Sequence, residues 1–246
     1  MGISIVLAVG APVCAFLIPR KKFNLKAVPL FSGAAAFVLF ALILERTLHQ
    51  IVLKPDAAGN IELASRPVLY MLYGGLAAGV FEETARFASF RLLKKKYGGI
   101  GTALSYGIGH GGFEAVLIGG LTMIGNLAIS VMINRGADVP LLSGEQLTAL
   151  VSTKPPVFLM GGIERVFALI IQISLSVLVW YAVTGKGKLW LFPAAVGLHA
   201  LIDFAPALYQ AGVVKNIYLL ESGVAVSAAV AAWLAYYTHK KVGSFK

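Results

Sequence analysis

Residues 102–134 read TALSYGIGHGGFEAVLIGGLTMIGNLAISVMIN. The run holds one carboxylate, Glu114, one imidazole, His110, and no lysine or arginine. A helix apolar on every side over such a length belongs in a bilayer, whose hydrocarbon core of ~30 Å takes about 20 residues to cross. At ~1.5 Å per residue this run would measure roughly 50 Å. It is therefore expected to tilt, to extend past the membrane, or to break at one of its glycines, Gly107, Gly109, Gly111, Gly112, Gly119, Gly120 or Gly125.

Working outward, six further apolar runs of spanning character occupy residues 3–18, 28–44, 68–90, 156–184, 189–209 and 217–238. The prediction is an all-α, polytopic transmembrane helical bundle of about seven spans, forming a single integral membrane domain over residues 1–246. The sizeable loops are those around residues 45–67 and 135–155, and no soluble domain, repeat or low-complexity tract interrupts the pattern. Composition agrees. Of 246 residues 58% are hydrophobic and 13% charged, about half the charged share of a soluble domain, and mean hydropathy is +0.82. A lone cysteine, Cys14, excludes an intrachain disulfide framework and a cysteine-based zinc motif.

A net charge of +10 would suggest nucleic acid in a soluble chain. In this one the question is where the charges fall along the spans, and the expected partner is the lipid bilayer, with no nucleic acid. The first run has no basic segment before it, and Arg20, Lys21, Lys22 and Lys26 follow it, so it reads as a retained helix with its N-terminus outside. With that start, the inner segments carry those four residues, then Arg91, Lys94, Lys95 and Lys96, then Lys186 and Lys188, then Lys240, Lys241 and Lys246, and no acid. The outer segments balance Arg46, Lys54, Arg66, Arg135, Lys154 and Lys215 against Glu45, Asp56, Glu62, Asp138, Glu145 and Glu221. Short cytoplasmic loops are enriched in lysine and arginine, so the C-terminus is expected inside, in a cell membrane of bacterial plasma-membrane type.

Within the spans remain Glu82, Glu83, Arg86, His110, Glu114, Glu164, Arg165, His199 and Asp203. Each charge at membrane depth costs about 2.5–3.5 kcal/mol on the insertion scale, which makes it a functional candidate. Glu82 and Arg86, His110 and Glu114, and His199 and Asp203 are i, i+4 pairs, so three helices each present a polar pair on one face. Counted from their basic ends, Glu82, His110 and His199 arrive at one depth, roughly 12–15 Å in. The seven residues Glu82, Glu83, Arg86, His110, Glu114, His199 and Asp203 are thus expected to form one site, open towards the cytoplasmic half, with Arg86 as counter-ion to Glu82. Glu83, turned by about 100°, faces a neighbouring helix or serves the site from its edge. Glu164 and Arg165, nearer the outer end, are left outside the site as a structural or gating pair, and His49 and His239 are read as solvated interfacial residues. Two histidines with several carboxylates suit either a divalent metal such as zinc, held by His110, Glu114, His199 and Asp203, or metal-free activation of water by a glutamate.

The segments Phe81-Glu82-Glu83-Thr84-Ala85-Arg86-Phe87, Gly109-His110-Gly111-Gly112-Phe113-Glu114-Ala115 and Leu198-His199-Ala200-Leu201-Ile202-Asp203 resemble the YhfC family of intramembrane metalloproteases. That family belongs to the wider group of type II CAAX prenyl endopeptidases, CPBP bacteriocin-processing proteins and PrsW-like proteases. The resemblance implies peptide-bond hydrolysis in the membrane, on a membrane protein or peptide substrate. It makes Glu82 and Glu83 the catalytic glutamate pair, His110 and Glu114 the second motif, and His199 and Asp203 the last. Here Arg86 follows the glutamates after two residues and the last motif ends in Asp203, both closer to the PrsW-like pattern than to the CAAX endopeptidases. Two other functions share these features: an ion- or proton-coupled transporter, which also needs midplane carboxylates, and a non-catalytic membrane scaffold of the same fold.

Overall fold

The computed structural model describes residues 1–56, 60–137, 139 and 142–243; Asp138 and Lys246, both counted in the charge balance, lie outside the described residues. Every regular element in it is helical. The long helices are α1 (Gly2–Leu17), α2 (Ala27–Leu53), α3 (Pro67–Leu93), α4 (Ile100–Asn134), α6 (Pro155–Thr184), α7 (Leu191–Gln210) and α8 (Ile217–Gly243), with a short α5 (Gly144–Ser152) on the α4–α6 connection. Proline opens α3 and α6, where the missing N–H costs no helical hydrogen bond. Ser143 caps α5 through a reciprocal box with Gln146.

Five helices, α2, α4, α6, α7 and α8, are long and apolar enough to cross a bilayer. Helix α3 matches them in length at 27 residues but carries Glu82, Glu83, Arg86 and Arg91, and α1 is an apolar helix of 16 residues. Two expectations change. The 102–134 run does not break at a glycine: it lies in one 35-residue helix whose turns widen to π geometry over Ala115–Leu121, directly after Glu114. The 28–44 run extends to Leu53, widened in the same way over Phe37–Glu45, so Glu45 and His49 sit on a helix and not in a loop. A π turn absorbs an extra residue and rotates the side chains beyond it. Both widened stretches adjoin an acid that lines the central cavity, Glu45 and Glu114.

The helices pair as α3 with α7, α6 with α8, α2 with α4 and α4 with α6, while α1 packs on α6 and the widened part of α4. Close approach is built on glycine. A Cβ on Gly109 would collide with the Leu30 carbonyl oxygen of α2, and one on Gly79 would stand 2.7 Å from the Val196 carbonyl oxygen of α7. Such small-residue contacts replace the hydrophobic effect as the means of joining helices in lipid.

The basic segments gather at one end of the bundle. Lys94 donates to the Val183 carbonyl at 3.1 Å, Gly101 lies against the Phe23 carbonyl, and Tyr181 meets His239 at 2.5 Å. At the opposite end Tyr70 donates to Gln210 at 3.0 Å and His49 bonds Tyr73 at 2.9 Å. Between the site and the basic end, Phe90, Tyr106, Leu175, Val179 and Trp180 fill the core, with Phe90 4.7 Å from the Tyr106 ring and 5.3 Å from Trp180.

Replacing Gly109 by alanine forces α2 and α4 apart and is expected to cost about 1–3 kcal/mol, read as a lowered unfolding temperature in detergent. Gly125, whose Cβ would meet nothing within 4 Å, should accept alanine without loss; equal behaviour of the two variants would contradict this packing.

Candidate functional site

The centre is assembled from α3. Glu82, Glu83 and Arg86 are buried within one turn of it, and the i+3 and i+4 spacings turn the guanidinium back towards both carboxylates. Glu83 is fully buried, pairs directly with Arg86 Nη1, and accepts from His199 Nδ1 of α7 at 2.7 Å. Arg86 stands 3.7 Å from Glu82, so its principal counter-ion is Glu83, not Glu82 as the i, i+4 spacing suggested. The physical reason is direction: Glu83 points inward with Arg86 between α3, α6 and α7, whereas Glu82 turns to α4 and the cavity.

Glu82 Oε2 meets His110 Nε2 of α4 at 2.8 Å and accepts from Gln172 Nε2 of α6 at 2.9 Å. His199 Nε2 lies 4.0 Å from the same oxygen and 3.5 Å from Asp203 Oδ2. Both imidazoles therefore turn their Nε2 towards one carboxylate. His110 is further enclosed by Phe37, edge-on at 5.3 Å, and by Tyr106, stacked at 6.1 Å. Six of the seven residues expected to form one site, Glu82, Glu83, Arg86, His110, His199 and Asp203, are thus linked by contacts of 4.0 Å or less.

Glu114 reaches this group through Gln172. Its Oε2 accepts from Gln172 Nε2 at 3.0 Å and its Oε1 from Arg165 Nη1 at 3.1 Å, while Arg165 also pairs with Glu164. Arg165, set aside by the depth count, is bonded to a site carboxylate because its long side chain spans the axial distance that the count treated as separation. Gln172 went unseen for a different reason. A search for ionisable residues passes over an uncharged amide, although it accepts from Arg86 and donates to both Glu82 and Glu114. The available signal was a long polar side chain in the otherwise apolar stretch 166–173.

A cavity of about 520 Å³ adjoins the group, bordered by Glu82, Glu114, His199 and Asp203 at its inner part and by Glu45, His49, Tyr70, Tyr73 and Gln210 further out. The outer residues belong to the helix ends opposite the basic loops, so the cavity lies on that side, away from the cytoplasmic half expected from sequence. Depth along a helix says how far in a residue sits, not which end the core seals, and the aromatic layer around Phe90 and Trp180 fills the basic end. His49, read as a solvated residue, is half-buried in the cavity wall, 3.3 Å from Glu45.

Two imidazoles and several carboxylates are donor types that divalent ions take, and Glu83 braces His199 through Nδ1. As the side chains stand they bond one another, and among the described residues no three or more histidine, cysteine, aspartate or glutamate groups are disposed as a ligand cage.

Taking the charge from Arg86 leaves Glu83 buried without its counter-ion, which costs about 3–5 kcal/mol. Thermal unfolding of Arg86→Ala should show that loss, and adding Glu83→Gln should recover more of it than adding Glu82→Gln. The reverse order of rescue would reassign the pair.

A family model described as YhfC intramembrane metalloprotease matches residues 3–224. The chain is 35% identical over 234 residues to "Uncharacterized membrane protein YhfC" of Bacillus subtilis (strain 168), covering 89% of this chain and 90% of that protein. No solved structure matches it.

Proposed function

Since the chain belongs to the YhfC intramembrane metalloprotease family, we propose that it hydrolyses peptide bonds of a membrane protein or peptide within the bilayer, at Glu82. The observation that carries the reading is the placement of Glu82, the one member of the glutamate pair that borders the cavity, between the Nε2 atoms of two buried histidines. The proposed topology has seven spans in one membrane domain, with the N-terminus outside and the basic end in the cytoplasm of a bacterial cell; the alternation of thirteen inner bases against balanced outer loops supports it.

In this reading Glu82 is the general base. Its Oε2 is held by His110 and Gln172, which fixes the carboxylate and leaves it facing a water from the cavity. Glu83 is locked by Arg86 and His199 and acts as a positioning residue: by accepting from Nδ1 it sets the His199 ring so that Nε2 turns to the cavity. With both ring nitrogens protonated, His199 directs an Nε2–H, beside Asp203, at the developing oxyanion or gives that proton to the leaving amine, and the proton that Glu82 takes from water replaces it. Glu114 serves from the cavity wall, held by Arg165 and Gln172. A divalent ion, if bound, would be held by His110, His199 and Asp203, with Glu114 nearby, and would supply Lewis-acid polarisation and a water of lowered pKa.

Purified protein in lipid, given candidate membrane peptides, should cleave them, and Glu82→Gln and His199→Ala should each lower the rate by about 10²-fold or more. Unchanged cleavage in both variants would overturn the assignment. Loss of activity on chelation with return on adding zinc supports the metal; resistance to chelation removes that part alone.

A further inference from the structure

The basic end of the bundle holds a second cavity, of about 1050 Å³, which shares no lining residue with the central one. Its charged walls are Lys186 and Lys188 on the α6–α7 connection and Lys240 and Lys241 in the last turns of α8, with no acid among the described lining residues. Trp233, Tyr236 and Tyr237, exposed by 60%, 65% and 42%, form an aromatic wall, and Thr184, Gly185 and Val242 complete the lining.

The order of these residues along α8 identifies what the cavity fits. Residues 233, 237 and 241, with 236 and 240, follow i, i+4 and i+3 spacings and so share one helix face. On that face the rings come first: Lys240 and Lys241 lie one turn, about 6 Å, beyond Tyr236 and Tyr237, and Trp233 lies a further turn in. That is the layering of a membrane interface, with amphipathic rings at the glycerol level and ammonium groups at the phosphates. Trp233 stacks on Tyr237 at 5.7 Å, and the Lys241 ammonium lies 4.5 Å from the Tyr237 ring centroid, so the two layers touch. The groove is also fixed in shape. The Tyr181 hydroxyl ties His239 to α6, and Gly185 lets the connection close on α8, since a Cβ there would stand 3.1 Å from Val242 Cγ1.

We infer that this groove is a binding site for the headgroup of an acidic phospholipid, its phosphate among Lys186, Lys188, Lys240 and Lys241 and its glycerol against Trp233, Tyr236 and Tyr237. A free phosphate would use the lysines but has no use for three exposed rings one and two turns deeper. The site is independent of the catalytic reading, because its partner is the membrane itself.

Native mass spectrometry of the full chain in detergent, titrated with phosphatidylglycerol or with phosphatidylcholine of the same acyl chains, tests it. One phosphatidylglycerol per chain is expected to bind in clear preference. The combined variant Lys186→Gln, Lys188→Gln, Lys240→Gln, Lys241→Gln should weaken that binding by roughly tenfold or more. A control with as many charges removed elsewhere at the same end, at Arg20, Lys21, Lys22 and Lys96, should retain it, and so should wild type in excess inorganic phosphate. Equal loss in both variants would reduce the effect to general surface charge and overturn the site. Displacement by inorganic phosphate would reassign it to a free anion, and equal binding of the two lipids would also overturn it. A thermal unfolding scan of each variant separates these outcomes from misfolding, and Trp233→Ala should weaken phosphatidylglycerol binding with all four lysines present.

Discussion

A guanidinium with no access to water has to be answered by a carboxylate, and Arg86 is fully buried at the centre of the bundle. Its nearest answer is Glu83, three residues earlier on the same helix, so the pair forms wherever α3 is helical. The pair does not satisfy itself. Glu83 also takes the His199 N–H, and Arg86 also donates to Gln172, so buried polar contacts tie α7 and α6 to α3. Glu82 adds α4 through His110. Four helices meet at one point because six polar side chains there satisfy one another in a low-dielectric surrounding.

The two ends of the bundle divide what a membrane protein must do. Towards the basic loops the core closes with Phe90, Tyr106, Leu175 and Trp180, large side chains that exclude water from the back of the polar group. Towards the other end the lining turns to Glu45, His49, Tyr70, Tyr73 and Gln210, and a cavity reaches Glu82. Water supply and water exclusion are thereby set on opposite sides of the same carboxylate. The widened stretches of α2 and α4 lie on the wet side, one ending at Glu45 and the other beginning directly after Glu114, and both acids line the cavity.

Much of the site was legible along the chain because helical periodicity is a strong geometric rule. The i, i+4 pairs and a common depth brought Glu82, Arg86, His110, His199 and Asp203 together on paper, and contacts of 4.0 Å or less link them in the fold. The same rule failed where direction within a turn decides the partner, since spacing admits both Glu82 and Glu83 as mates for Arg86. It failed again for Arg165, whose side chain is long enough to leave its own level, and for Gln172, which carries no charge to mark it.

Apolar run length, the few charges that fall inside the runs, and the alternation of lysine and arginine are properties of the chain in order. They determined an all-helical membrane fold and nominated its polar residues without any contact being known. Which end is sealed, which glutamate faces the cavity, and what joins Glu114 to the rest depend on how helices far apart in sequence rotate against one another. Glycine contacts such as that of Gly109 with Leu30, and the mutual satisfaction of buried polar groups, set those rotations. Neither is a function of spacing along one helix, and so only the tertiary structure decided them.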